Sequence, residues 1–174
     1  MAIGVRLAAS RGLAFCLVLA APLAALCQAV NPAAPLAYFS GAWKCAGHFA
    51  GGAAIASNLV FYWSAPAAAM IKHQDDVAPG AYHAVELWNV ENAAGMHGLI
   101  ADNSGGARPI VSLGWEGDVL TWVYLKDATR TERFVYAKLG SDRMRVDWLV
   151  SKGQGPFQLG DTLTCDRAPV KATN

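Results

Sequence analysis

The sequence predicts an all-β domain, an up-and-down antiparallel barrel of about 8–10 strands, on three observations. Ten short segments rich in Val, Trp, Tyr and Phe recur about every 8 to 13 residues, separated by turn-forming residues. No stretch keeps a helical period for three turns. Cys45 and Cys165 stand in the first and last of those segments, where a bond between them would join the two ends of a sheet.

The elements follow in order. Residues 30–38, which include "VNPAAPLA", read as a short lead-in, with one helical turn near Phe39. The strands expected are Trp43 to Phe49, Ile55 to Trp63, Ala68 to Lys72, Tyr82 to Val90, Met96 to Ala101, Pro109 to Leu113, Val119 to Leu125, Arg133 to Leu139, Met144 to Val150 and Phe157 to Cys165. Turns between them are read at "GG" (51), "APG" (78), "ENAAG" (91), "DNSGG" (102), "EGD" (116), "LGSDR" (139) and "KGQGP" (152). Alternation assigns faces. Met144, Val146, Trp148 and Val150 share one side of their strand, against Arg143, Arg145 and Asp147; with Trp43, the first three are the expected structural core. Trp43, Cys45, Gly47 and Phe49 share a side in the first strand, and Leu159, Asp161, Leu163 and Cys165 in the last. Both cysteines therefore face the apolar side. The barrel occupies residues 39–168, with 169–174 as a tail. The turn spacing also fits a β-sandwich.

Ahead of the domain, Arg6 and Arg11 precede an apolar run from Leu13 to Leu26, and Cys27-Gln28-Ala29 supplies small residues for cleavage after Ala29. This is the pattern of a secretory signal peptide over 1–29. The run is too short for a membrane-spanning helix, for which about 20 residues are needed, and it contains Pro22. Removing 29 of 174 residues leaves 145, enough for one domain with a real core. It also leaves 12 basic against 13 acidic residues, a balance that argues against a nucleic-acid partner. The expected location is secreted, periplasmic or extracellular, with no transmembrane segment in the mature chain. Cys16 and Cys27 leave with the leader, so Cys45 and Cys165 remain in a compartment that oxidises thiols, and a disulfide between them is expected. A zinc site would want more than two widely separated cysteines, and a thiol nucleophile a nearby base.

Gly41-Ala42-Trp43, a Gly-x-Trp entering the first strand of a secreted barrel of this size, resembles the lipocalin and wider calycin pattern, in the manner of small bacterial lipocalin-like proteins of uncharacterised function. The resemblance implies a barrel with an apolar ligand inside and an arginine near the barrel's end, for which Arg167 is the candidate. Six tryptophans, all beyond residue 29, supply aromatic walls. Trp63, Trp88 and Trp122, with Tyr82 and Tyr124, are the candidate ligand-binding residues.

Haem-binding barrels of this general type use a histidine as axial ligand, but no histidine lies near Cys165. His48, His73, His83 and His97 form no metal-binding spacing and read as surface residues. No metal and no other cofactor is expected. Catalysis is not expected either. His83 and Glu86, three apart, face opposite sides of a strand; "DNSGG" is a tight turn; and no Gly-x-Ser-x-Gly or phosphate loop occurs. Asp102, Asp118 and Asp127 fall in turns and read as solvated, and "KHQDD" at 72–76 reads as a solvated loop. Two functions from different classes stand: a binder of a small hydrophobic molecule within the barrel, or an interaction module of the cell envelope with a filled barrel. The second would use an exposed rim around Arg108, Pro109 and Trp115.

Overall fold

The structure, a computed structural model, describes residues 34–64, 69–91, 95–126, 130–153 and 155–169. The expected leader, Asp127 and most of the C-terminal tail lie outside the described residues. The chain forms eleven strands: β1 (Gly41–Phe49), β2 (Ala54–Ser64), β3 (Ala69–Asp76), β4 (His83–Glu91), β5 (Gly95–Asp102), β6 (Ala107–Ser112), β7 (Trp115–Glu116), β8 (Val119–Lys126), β9 (Arg130–Lys138), β10 (Arg143–Lys152) and β11 (Gln158–Arg167). Each neighbouring pair is antiparallel, in the order β6-β5-β4-β3-β2-β1-β11-β10-β9-β8-β7. A β6–β8 pairing closes a ten-stranded barrel, with β7 the extra strand.

Two joints complete the cylinder and they differ in strength. Between β1 and β11 the register runs unbroken from Trp43↔Arg167 to Phe49↔Asp161 and sets Cys45 opposite Cys165, which are disulfide-bonded. Between β6 and β8 it consists of Ile110↔Tyr124 and Val111↔Val123. The β7–β8 hairpin turns at Gly117, whose positive φ of 59° is one that glycine adopts without strain.

A 3-10 helix, Ala34–Phe39, plugs the end of the barrel at which β1 begins. Leu36 and Phe39 are fully buried there. The Phe39 ring stacks on Phe61 and Trp115 and meets Trp88 and Tyr136 edge-on. Trp43 Nε1 donates to the Phe39 carbonyl at 2.8 Å, and Trp115 Nε1 donates to that of Pro35. Arg167 lays its guanidinium over the Trp43 ring at 4.1 Å while donating to the carbonyls of Ser40 and Tyr38. Trp43, Met144 and Val146 are buried core residues.

Three expectations are corrected. The "KHQDD" segment is not a loop: β3 runs through Asp76 and pairs with β2 as far as Ser57↔Asp76. Leu159 does not share a face with Asp161. A bulge pairs Trp148 with Asp161 and Leu149 with Leu159, leaving Gly160 unopposed and turning Leu159 outward. Trp148, expected as core, is only partly buried, because that bulge lies beside it.

Candidate functional site

The end of the barrel away from the plug is open, and a cavity of about 630 Å³ enters there. Its mouth is formed by Phe49 at the end of β1, Ser104 to Ala107 in the β5–β6 hairpin, and Asp161 on β11. The aromatic half of the barrel lies below it. Trp88 and Trp122 are fully buried with centroids 5.0 Å apart, so they fill the interior rather than line the space.

At the cavity floor the wall is charged. Alternation from Met70 brings Lys72 inward, and from Trp88 it brings Glu86 inward. Lys72 Nζ donates to Glu86 Oε1 at 2.6 Å and to the Tyr136 hydroxyl at 2.9 Å, while Trp88 Nε1 donates to Glu86 Oε2 at 2.8 Å. Both carboxylate oxygens and the ammonium thus keep partners although little of either side chain is exposed. Burial, with the Glu86 charge adding to it, holds the Tyr136 phenol well above its ordinary pKa, so it stays a neutral hydroxyl.

Higher on one side, Arg108 of β6 bridges two acids. It donates to Glu132 Oε2 at 2.8 Å, forms an ion pair with Asp102, and reaches the Tyr82 hydroxyl at 3.1 Å. Trp148 Nε1 donates to the same Glu132 oxygen. Burial of Arg108 works against its charge, but Tyr82, Glu132 and Asp102 together hold its pKa above the ordinary value. Tyr82 is raised as well, chiefly by burial. Asp102 is therefore not a solvated turn residue: its side chain is 5% exposed and ion-paired. Arg108 likewise belongs to the interior rather than to an outer rim, and Trp115 packs on the plug at the other end.

Across the cavity stand Asp76 and Asp161. Asp76 accepts the Ser57 hydroxyl. Asp161 has its pKa raised from 3.8 to about 6, first by burial and then by the charge of Asp76, with Lys72 opposing. Five lining carboxylates, Asp76, Glu86, Asp102, Glu132 and Asp161, thus face two lining cations, Lys72 and Arg108. Apolar surface between them comes from Ile55, Leu59, Phe134, Val146 and Leu163.

Of the candidate ligand-binding residues, Tyr82 and Tyr124 line this cavity. Trp88 and Trp122 lie beneath it, and Trp63 packs against the core rather than on the cavity wall. His83 faces outward, 2.8 Å from Asp75, while Glu86 faces in. Among the described residues no three His, Cys, Asp or Glu side chains are grouped to hold a metal ion. No helix of the described residues is long and apolar enough to cross a membrane.

No protein-family model matches the chain, and no curated protein sequence does. Two solved structures are similar to it. One is Rv2717c from M. tuberculosis, with a TM-score of 0.55 and 16% identity over 79% of this chain and 97% of that one. The other, with a TM-score of 0.54 and 8% identity, is a protein with unknown function from the DUF3598 family (Npun_R4044) of Nostoc punctiforme PCC 73102; the match covers 76% of this chain and 49% of that one. At these identities the likeness carries the barrel fold alone.

Proposed function

We propose that the protein is an exported carrier that holds one small amphiphilic molecule in the open half of its barrel, with an apolar body and a basic group. The observation that carries this reading is the 630 Å³ cavity, whose size suits a small ligand and whose charged side chains are unevenly matched. Lys72 is matched by Glu86, and Arg108 is shared between Asp102 and Glu132. Among the described residues, Asp76 and Asp161 have no cation within ion-pair distance. A ligand ammonium placed between them would offset the burial, and the added charge of Asp76, that raise Asp161. The ligand proposed here departs from the small apolar molecule expected of the sequence by carrying a positive charge. The calycin resemblance is supported by the Arg167 guanidinium stacked on Trp43, and export by the leader pattern together with the cross-strand disulfide.

Decylammonium and decanoate, which share a chain and differ in charge, test this reading when titrated into the exported protein while its tryptophan fluorescence is followed. Decylammonium should bind at least about tenfold more tightly near neutral pH, and that preference should shrink as the pH falls through about 6 and Asp161 takes up a proton. Equal affinities, or a preference for decanoate, would remove the basic group from the proposal. Failure of both to bind, with a clean apo mass in native mass spectrometry, would remove the carrier.

A further inference from the structure

The cavity floor carries hydrogen-bond donors that the protein itself leaves unused. Tyr136 is fully buried and lines the cavity, and its hydroxyl oxygen accepts from Lys72 Nζ at 2.9 Å. An ammonium offers donors only, so the phenolic proton needs an acceptor elsewhere. Among the described residues none takes it: the hydrogen bonds of Glu86 come from Lys72 and Trp88, not from Tyr136. Lys72 also lines the cavity, and of its three N–H groups one reaches Glu86 and one Tyr136, leaving the third without a partner among the described residues. A buried donor without an acceptor is costly, and such groups in proteins are ordinarily satisfied. Two of them side by side at the bottom of an open cavity describe a place for an oxygen atom.

We infer, resting on the carrier reading above, that this floor receives a neutral carbonyl oxygen of the ligand, held by the Tyr136 hydroxyl and the third Lys72 N–H. The ligand then enters carbonyl first and leaves its ammonium nearer the mouth. Donors on both groups select an acceptor. They do not select a carboxylate, because Glu86 already neutralises Lys72 from 2.6 Å and the five lining carboxylates outnumber the two lining cations, so a further negative charge would be repelled. Direction follows from β3. Its inward residues run Met70, Lys72, Gln74 and Asp76 from the plugged end to the mouth, which puts Asp76 four residues, roughly 13 Å, beyond Lys72 along the strand. Ile55, Leu59, Val146 and Leu163 give the ligand's body apolar wall between its two polar ends.

Decylammonium, methyl ω-aminooctanoate of the same chain length, and ω-aminooctanoate test the inference when titrated into the exported protein and into Tyr136→Phe while tryptophan fluorescence is followed. The substitution keeps the ring against Phe39 and Trp88 and leaves Lys72 its bond to Glu86, so the circular dichroism should match the parent's. The ratio of ester to decylammonium affinity should fall about tenfold in Tyr136→Phe, while decylammonium, which has no oxygen, should bind the variant at least as well as the parent. In the parent, the ester should bind at least about tenfold more tightly than the free acid. The infrared stretch of the bound, isotope-labelled ester carbonyl should lie below its frequency in an apolar solvent, a reading that needs no variant. A ratio unchanged by Tyr136→Phe overturns the inference, and so does an acid that binds as tightly as the ester or a bound carbonyl at its apolar-solvent frequency. Decylammonium that binds while the ester does not removes the floor contact alone; failure of decylammonium and the ester together removes the carrier reading and this inference with it.

Discussion

Asp161 holds its proton more tightly than an unfolded aspartate does, because partial burial and the nearby Asp76 penalise its charge. Its native pKa of about 6 stands above the ordinary 3.8, so the native state binds more protons between those values. Its contribution to stability is therefore greatest below about pH 4 and is lost as pH rises through 6. Asp161→Asn cannot ionise, and its melting temperature should gain on the parent's as the buffer is moved from pH 4 to pH 7. A difference that is flat or opposite in slope would show that Asp161 titrates normally. Lys72 and Glu86 behave differently, because each satisfies the other where both are about 96–97% buried. Lys72→Met alone leaves Glu86 buried without its cation and should cost about 3–5 kcal/mol in urea unfolding. Lys72→Met combined with Glu86→Gln should recover much of that loss, and equal losses would mean that the pair is not what holds this region.

At the scale of the element, the bulge in β11 deserves its glycine. A Cβ built on Gly160 would lie 2.2 Å from the Trp148 ring, so the indole rests directly on bare backbone. Gly160→Ala should therefore displace Trp148 from Glu132, destabilise by about 1–3 kcal/mol and shift the tryptophan emission. An unchanged emission spectrum would mean that the ring already sits elsewhere. The strand pattern itself was legible, since alternation and turn residues located the ten strands of the barrel to within a few residues. What alternation did not reveal was the polar interior. On β3 and β4 the outward residues Ile71, Val85 and Leu87 are as apolar as the inward Met70 and Trp88, so periodicity offered two apolar faces and no means of choosing between them. Lys72 then fell in the segment read as a solvated loop, and nothing placed Glu86 in the interior. The parity that pairs them with Met70 and Trp88 was the one available signal. Asp102 was missed for a related reason: it ends its strand beside a glycine-rich turn, and only the register shows that the side chain turns back toward Arg108.

For the whole molecule, closure depends on unequal joints. The disulfide spans 120 residues at the longer one, and the chain-entropy model assigns such a loop about 5 kcal/mol, less any strain in the native state. A Cys45→Ser and Cys165→Ser double variant should lose several kcal/mol while keeping a β-rich spectrum, because the β1–β11 ladder remains. Loss of less than about 1 kcal/mol would mean that the unfolded chain is already constrained near those residues. Closure itself was legible from two cysteines on opposite terminal strands, whereas the short β6–β8 joint was not, because nothing in β6 or β8 marks which neighbour each will find.

The plug has a practical corollary for handling the protein. The helix that begins at Ala34 and the strand that ends at Arg167 meet at the same closed end, where Arg167 grips the carbonyls of Tyr38 and Ser40 and the amide of Ala168 reaches Ala42 at 2.8 Å. The cavity opens at the opposite pole. An affinity tag or surface tether joined just outside either end of the folded domain would therefore hold the barrel mouth-outward, leaving its entrance facing the solution from which a ligand must arrive.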